Sequence, residues 1–337
     1  MKKVGEVLVR LIKAYSPTGK EKEAEDVLLQ LARELGLEAY TDEVGNVFAE
    51  KEGGGNVWLV SHYDTIPGEL PVIGTDWMIA GRGAVDAKGP LAAMLVAASE
   101  STYPVTVVAL VGEEGDSRGA KHLLKKDFPD YIVIGEPSDS RGVVISYRGG
   151  ARIRIDCYGE GGHSSSSGDS AIDKLISSIV RFKDIAPGSS YEQPSAAVTV
   201  ISGGKVSNVL PKHAFAEIDL RVPPNTSPLA VVEDLRKVLE EDCELLVKWF
   251  ANPVSVKPND PVPRALIRSI LSLGAKPKLL KKYGSSDMNL LYGKVKSIAA
   301  YGPGDGKLAH TDMEQVSLRD LEFAVRVYLR TVEQLSG

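Results

Sequence analysis

Cysteine is nearly absent from this chain of 337 residues, which carries only Cys157 and Cys243. Two cysteines are too few for a disulfide framework, and both fall in strand-like runs, so they are expected as buried free thiols. Long apolar runs are missing too. No stretch approaches the ~20 residues needed to cross a bilayer. The opening MKKVGEVLVRLIKAYS sets lysines before apolar residues, but Glu6, Arg10 and Lys13 interrupt it, so a secretory signal is not expected. Val4, Val7, Leu8, Leu11 and Ile12 fall instead at the spacing of an amphipathic helix. There is no basic excess: 40 Lys and Arg against 45 Asp and Glu give a net charge of −5, which offers nothing to nucleic acid. A cytoplasmic protein is expected, with neither a nucleic-acid nor a membrane partner.

Several catalytic signatures are also absent. The one G-x-S-x-G string, GDSRG at 115–119, follows a pair of glutamates and not an apolar strand, so it is not the nucleophile elbow of a serine hydrolase. GDGKL lacks the glycine spacing and the Ser or Thr of a phosphate-binding loop, and GRGAVD lacks the third glycine of a dinucleotide fingerprint. No H-E-x-x-H is present, so a zinc site carried on one helix is not the reading.

The remaining composition is that of an ordinary globular protein, and its length favours two domains over one core. Helices are expected at 2–15, 20–35 and 88–100, and strands at 56–61, 104–111 and 131–135. Strands apolar on both faces and separated by helices imply a mostly parallel sheet with helices on both faces. From Ala151 the order changes. Strand ARIRIDCYG, helix DSAIDKLISSIVRFKD, strands AAVTVISG and HAFAEIDLRV, helix SPLAVVEDLRKVLEE and strand CELLVKWF make a ferredoxin-like βαββαβ unit. Helix and strand patterns then resume at 262–273, 277–282, 297–301 and 318–335. The expected architecture is an α/β domain, 1–148 and 258–337, interrupted by an inserted domain at 149–257.

Five polar stretches sit where strands should end: SHYDT (61–65), GRGAVDAKG (81–89), GEEGD (112–116), IGEPS (134–138) and LAHTDME (308–314). Ligands of open α/β sheets bind at the carboxyl ends of strands, so these stretches can converge. His62 and Asp64 share a face if the strand continues, one binding a metal while the other orients it. Asp86 lies in a glycine-lined segment where a carboxylate can approach an ion closely. With Glu114, Glu136 and His310 they form a set of nitrogen and oxygen donors suited to zinc, cobalt or manganese.

These five stretches, in this order, resemble the metal-dependent peptidases and deacylases of family M20, which includes carboxypeptidases, dipeptidases, acetylornithine deacetylase and succinyl-diaminopimelate desuccinylase. The resemblance covers the whole chain. IPGELPVIG and GRGAVDAKGPLAAM are most similar to the branch that releases lysine or ornithine from the C-terminal glutamate of a small acidic amino-group carrier protein. The resemblance implies two divalent ions, zinc or cobalt, bridged by Asp86. His62 and Glu136 would complete one ion's protein ligands, and Glu114 and His310 the other's. A cis peptide is implied at Asp86–Ala87, and Glu113 is implied as the general base, with Asp64 supporting the catalytic set. In the inserted domain His163 matches a histidine used near the developing oxyanion, supplied by the partner subunit in dimeric relatives, so a homodimer is implied. Asn208, Arg221, Ser285 and Gly304 match substrate-contacting positions, with Arg221 suited to a free α-carboxylate. Gly150 departs from relatives that place a side chain there, which bears on substrate identity. A lysine or ornithine product also needs an acidic subsite for its side-chain ammonium, for which Glu69 in PGELP is a candidate.

Each residue also has a plainer role. A lone histidine at a strand end is usually a hydrogen-bonded core residue, adjacent glutamates are usually a solvated loop, and Asp86 could pair with Lys88 at a helix start. Five ordered coincidences outweigh these alternatives. His122 and His213 are expected to be structural. Lys276, Lys278, Lys281 and Lys282 are expected to be a solvated face, their alternative role being to dock an acidic carrier. An N-acyl-lysine or acetylornithine deacetylase, a dipeptidase, a carboxypeptidase and an inactive metal-binding scaffold remain open.

Overall fold

A computed structural model describes residues 3–188 and 190–337. The chain forms two compact units. One comprises the chain through Ile145 together with Val256–Lys281 and Ser286–Gly337; the other comprises Ser146–Ser255 with Lys282–Ser285.

At the centre of the first unit lie four parallel strands, ordered Val105–Leu110, Val57–His62, Tyr131–Gly135 and Ser297–Tyr301. Leu59 stands opposite both Val107 and Val133, so apolar residues share one level across the sheet. All six residues of Val105–Leu110 are buried, as expected of a strand covered on both faces. Antiparallel strands extend the sheet: Val47–Lys51 and Glu38–Thr41 on one side, Gly142–Tyr147 on the other. The alternating sequence pattern marks the parallel centre but not the strands Glu38–Thr41 and Val47–Lys51. They are short, and the outer one is half exposed, so neither presents a long apolar run.

Helix Lys88–Glu100 is buried from Lys88 through Ala98. A helix apolar on all sides belongs inside the layers, and this one packs on strand Val57–His62 and under helices Lys3–Lys13 and Leu318–Ser336. Helix Lys3–Lys13 buries Val4, Val7, Leu8, Leu11 and Ile12, the stripe its periodicity predicts. Helix Leu318–Ser336 starts at Ser317, whose hydroxyl accepts the Asp320 N–H at 3.0 Å. Among the described residues, no helix is long and apolar enough to cross a membrane.

The second unit has a four-stranded antiparallel sheet ordered Ser195–Gly203, His213–Val222, Gly149–Tyr158 and Cys243–Ala251. Helices Ala171–Ile185 and Pro228–Lys237 complete a βαββαβ sequence, and Ile153, Ile155, Leu175, Phe182, Ile218 and Leu235 form its core. Cys157 and Cys243 are not free thiols: they form a disulfide, with their Cα atoms 4.1 Å apart. Cys243 is the register partner of Cys157 on the neighbouring strand. The pairing across 86 residues is created by sheet register, which no local pattern reveals.

Candidate metal centre

Parallel strands of the first unit end on one side of the sheet, and each delivers a polar group there. His62 is the last residue of its strand, Gly112 to Glu114 follow Val105–Leu110, and Glu136 follows Tyr131–Gly135. Gly112 has φ +76°, and a Cβ there would meet the Arg118 guanidinium at 2.5 Å, so the turn that aims Glu113 and Glu114 needs glycine. Asp86 sits between strand Met78–Ala80 and helix Lys88–Glu100, and the Asp86–Ala87 peptide is cis. His310 comes from the loop after Ser297–Tyr301, in the left-handed region at φ +65°.

Two triads of potential ligands result, His62 with Asp86 and Glu136, and Asp86 with Glu114 and His310. Within each, one ligand atom per residue lies within 4.8 Å of the others, and Asp86 belongs to both. His62 Nε2 is 3.1 Å from Asp86 Oδ1, and His310 Nε2 is 2.7 Å from Glu114 Oε1 and 3.4 Å from Asp86 Oδ2. His62 Nδ1 lies 3.0 Å from the Asp64 carbonyl oxygen and 3.5 Å from its carboxylate, which fixes the ring and leaves Nε2 facing Asp86. These donors fit two divalent ions sharing one carboxylate: each ion would receive one imidazole and two carboxylates, leaving open positions.

Asp64 is fully buried and does not face the ion positions as a ligand. Its Oδ1 accepts the Glu113 N–H at 3.0 Å, and its Oδ2 accepts the Glu114 N–H at 3.1 Å and the Thr18 hydroxyl at 2.7 Å. Burial opposes its charge, yet His62, Thr18 and those N–H groups hold the carboxyl below its usual range.

Asp86 is likewise held below the ordinary range: burial works against its charge, but His310 and His62 outweigh it. In turn Asp86 and Glu114 push His310 up to about 10. Burial disfavours a charged His62, but Asp64 and Asp86 prevail and raise it well above its ordinary value. Glu113 behaves oppositely. Burial, reinforced by Asp287, Glu136 and Glu114, raises its carboxyl well above the usual range.

Four buried groups, Glu314, Arg82, Lys88 and Asp287, have surroundings that the sequence did not indicate. Glu314 Oε1 accepts the N–H groups of Gly83, Val85 and Asp86, each at 3.0 Å, and Oε2 accepts Arg82 Nη1 at 3.1 Å. Arg82 Nη1 also donates to the Thr311 carbonyl at 2.9 Å, tying the Asp86 loop to the His310 loop. Lys88 does not pair with Asp86. Its Nζ donates to the carbonyls of Leu11 and Ala14 at 3.0 and 2.8 Å, and burial pushes its pKa down to about 7. Asp287, 4% exposed, has an Oδ1 with no hydrogen-bond partner among the described residues, and burial raises its carboxyl to about 7. Glu314 lies in LAHTDME, and Arg82 and Lys88 in GRGAVDAKG, but neither stretch showed what these side chains bond.

Glu69 is exposed on its loop. Gly304, at φ +88°, packs its Cα side against Val85, where a Cβ would lie 3.2 Å from that side chain. His122 Nε2 lies 2.8 Å from a Glu43 carboxylate oxygen and His213 Nε2 2.8 Å from one of Asp156.

In the second unit, His163 is exposed and pairs with Val209 across a short two-stranded sheet. Its Nδ1 faces the Ser165 N–H at 3.2 Å and the Ser165 hydroxyl at 2.8 Å, an arrangement that puts the neutral ring's proton on Nε2. The Asn208 carbonyl accepts the Ser164 N–H at 3.0 Å. Arg221 donates to Ser285 Oγ at 3.1 Å and to Asp219 at 2.9 Å, bringing two expected substrate contacts together. Gly150 is the register partner of Arg221, and a Cβ there would lie 2.6 Å from the Leu220 carbonyl, which accounts for the missing side chain.

Peptidase family M20/M25/M40 matches residues 58–334 of the chain. A [LysW]-lysine/[LysW]-ornithine hydrolase of Sulfurisphaera tokodaii is 36% identical over 99% of this chain and 96% of that protein. One of Saccharolobus solfataricus is 34% identical, again over 99% and 96%. Among solved structures, the M20 family metallo-carboxypeptidase Sso-CP2 from Sulfolobus solfataricus superposes with a TM-score of 0.82 at 20% identity, covering 100% of both chains. Aminopeptidase PepT from Bacillus cereus gives 0.85 at 20% identity, over 99% and 98%. At that identity the two structures share the fold.

Proposed function

The chain belongs to peptidase family M20, a hydrolase with a mostly parallel α/β fold, and from that premise we propose that it releases lysine or ornithine from the C-terminal γ-glutamyl group of an amino-group carrier protein. Such a step belongs to lysine and arginine biosynthesis in the cytoplasm. The observation that carries the chemistry is Asp86, common to both ligand triads. The substrate assignment is supported by full-length identity to hydrolases named for lysine and ornithine.

His62, Asp86, Glu114, Glu136 and His310 would hold two divalent ions, zinc or cobalt by donor type. Bound there, such ions would polarise the amide carbonyl and acidify the attacking water. Glu113 takes the proton of that water and passes it to the departing amine, as its raised carboxyl suits. Asp64 keeps Glu113 in place through its N–H. His163, with its proton on Nε2, would donate to the developing oxyanion, while Asn208, Arg221, Ser285 and Gly304 would contact substrate, Arg221 gripping the α-carboxylate.

A homodimer fits the second unit by itself. Strand Ser195–Gly203 is a sheet edge, with Val198, Val200 and Ile201 exposed, and Ile176 and Val180 are exposed on helix Ala171–Ile185. An apolar edge of that kind invites a second strand. Sedimentation analysis should give a dimer, and a monomer for Val200→Lys.

The deciding experiment compares carrier-linked γ-glutamyl-lysine and γ-glutamyl-ornithine with N-acetyl-ornithine, N-acetyl-lysine and simple dipeptides, with and without chelator. Preference for the acetylated compounds would overturn the carrier substrate. In the same assay Glu113→Gln should keep its metal and lose at least about a hundredfold in kcat; near-normal turnover would remove Glu113 as the base.

A further inference from the structure

Four serines in a row follow His163, and the stretch GEGGHSSSSGDS has the composition of a flexible linker. The fold uses it otherwise. Gly161 and Gly162, at φ +75° and +134°, turn the chain so that Gly162 and His163 pair with Leu210 and Val209 in a two-stranded sheet. Beyond His163 the serines close a turn. The Ser166 N–H and hydroxyl both donate to the His163 carbonyl, at 2.8 and 2.7 Å, and the Ser164 N–H donates to the Asn208 carbonyl at 3.0 Å. His163 and Asn208, two residues expected to contact substrate, are thereby carried on one hydrogen-bonded element.

The imidazole itself is exposed, so packing does little to fix its rotamer, and water can serve either ring nitrogen. Ser165 supplies what packing does not. Its backbone N–H can only donate, and it points at Nδ1 from 3.2 Å; its hydroxyl lies 2.8 Å from the same nitrogen. An N–H aimed at Nδ1 requires a lone pair there, so the hydroxyl donates too, and the neutral ring carries its proton on Nε2.

We propose that Ser165 is the positioning residue for His163: its hydroxyl holds the imidazole in the Nε2–H tautomer and in one orientation, so that the ring presents a donor to the developing oxyanion. The proposal rests on the reading that His163 is that donor. A ring in the other tautomer would turn a lone pair towards the oxyanion and repel it. The hold therefore acts on the transition state and belongs in kcat and not in KM. The backbone N–H of residue 165 survives a change to Ala or Thr, so such variants isolate the share of the hydroxyl.

The test reads the tautomer directly, by NMR of protein labelled with nitrogen-15 in its histidine rings. The chain has five histidines, and His163→Ala assigns the relevant signals. At a pH where the ring is neutral, wild type should show an unprotonated Nδ1 and a protonated Nε2. Ser165→Ala should show both tautomers in exchange, and Ser165→Thr, which keeps a hydroxyl, should restore the wild-type pattern. On whichever amide substrate the enzyme cleaves, Ser165→Ala should lose about three- to tenfold in kcat with KM within about twofold, and Ser165→Thr should recover. That loss is a fraction of the roughly hundredfold or more expected when His163→Ala removes the oxyanion donor outright. With His163→Ala impaired, three results would each overturn the positioning role alone: a protonated Nδ1 in neutral wild type, a Ser165→Ala protein that keeps the wild-type tautomer or kcat, or a Ser165→Thr protein no better than Ser165→Ala. Wild-type turnover by His163→Ala would overturn the reading of His163 as the donor, and the role of Ser165 with it.

Discussion

The carboxylate of Asp64 accepts the backbone N–H of Glu113 at 3.0 Å, and its other oxygen accepts that of Glu114 at 3.1 Å. One buried side chain thus holds the main chain of two adjacent glutamates that repel each other. Asp64 also faces His62 Nδ1, so it sets the direction of one candidate ligand and of the loop bearing another.

Asp64→Ala should therefore weaken metal binding by about 10–100-fold and lower kcat, the usual consequence of removing a partner that orients ligands. Asp64→Asn should do nearly as much, because an amide offers only one oxygen where two N–H groups need acceptors. Metal titration followed by calorimetry checks this, and unchanged affinity in both variants would refute the orienting role.

Glu314 should matter to stability as well as to the site. It accepts three backbone N–H groups and faces the buried Arg82, so Glu314→Ala leaves a buried cation and several donors without their partner. Losses of this kind cost about 3–5 kcal/mol. Denaturant unfolding should show a loss of that order, together with reduced metal occupancy because the Asp86 and His310 loops are no longer tied.

Metal-stripped protein should show a pH dependence traceable to His310. Its folded pKa is raised to about 10 from 6.5, so its share of stability is fully present below pH 6.5 and is lost as pH rises towards 10. Lys88, depressed to about 7, works in the opposite sense, losing its share as pH falls from 10.5 through 7. The difference between wild type and His310→Ala isolates the histidine. The melting temperatures of the two stripped proteins should converge as pH rises from about 6.5 to 10, and a constant gap would contradict the ion pairs with Asp86 and Glu114.

The disulfide closes a loop of 86 residues in the second unit. Chain-entropy arguments assign such a closure about 4–5 kcal/mol, and measured values often fall lower. Cys157→Ser with Cys243→Ser should lower stability by about 2–5 kcal/mol in chemical denaturation while leaving metal affinity unchanged. A variant as stable as wild type would indicate that the βαββαβ core alone supplies the stability.

Much of the candidate ligand set was legible because side chains able to reach a site at the sheet's carboxyl edge must follow apolar strands, and SHYDT, GEEGD and IGEPS each follow one. Lys88 and Glu314 were not legible in the same way. Their partners are backbone atoms far along the chain: the Asp86 N–H bonded by Glu314 is 228 residues away. A charge whose partner is a carbonyl or an N–H leaves no complementary residue to notice. Asp287 was overlooked for a related reason, since nothing around YGSSD indicates that its carboxylate is buried near Glu113.

By itself the sequence determined the helix and strand periodicities, the change to a βαββαβ order after residue 150, and which imidazoles and carboxylates lie at strand ends. Hydrophobic spacing is a local property, so those features survive without the fold. Only the tertiary structure decided that Asp86 belongs to both triads, that Asp64 holds the Glu113 loop, that Arg82 and Glu314 join two ligand loops, and that Cys157 meets Cys243. Each of these depends on register and packing between segments far apart in the chain, and such distances carry no periodic signal.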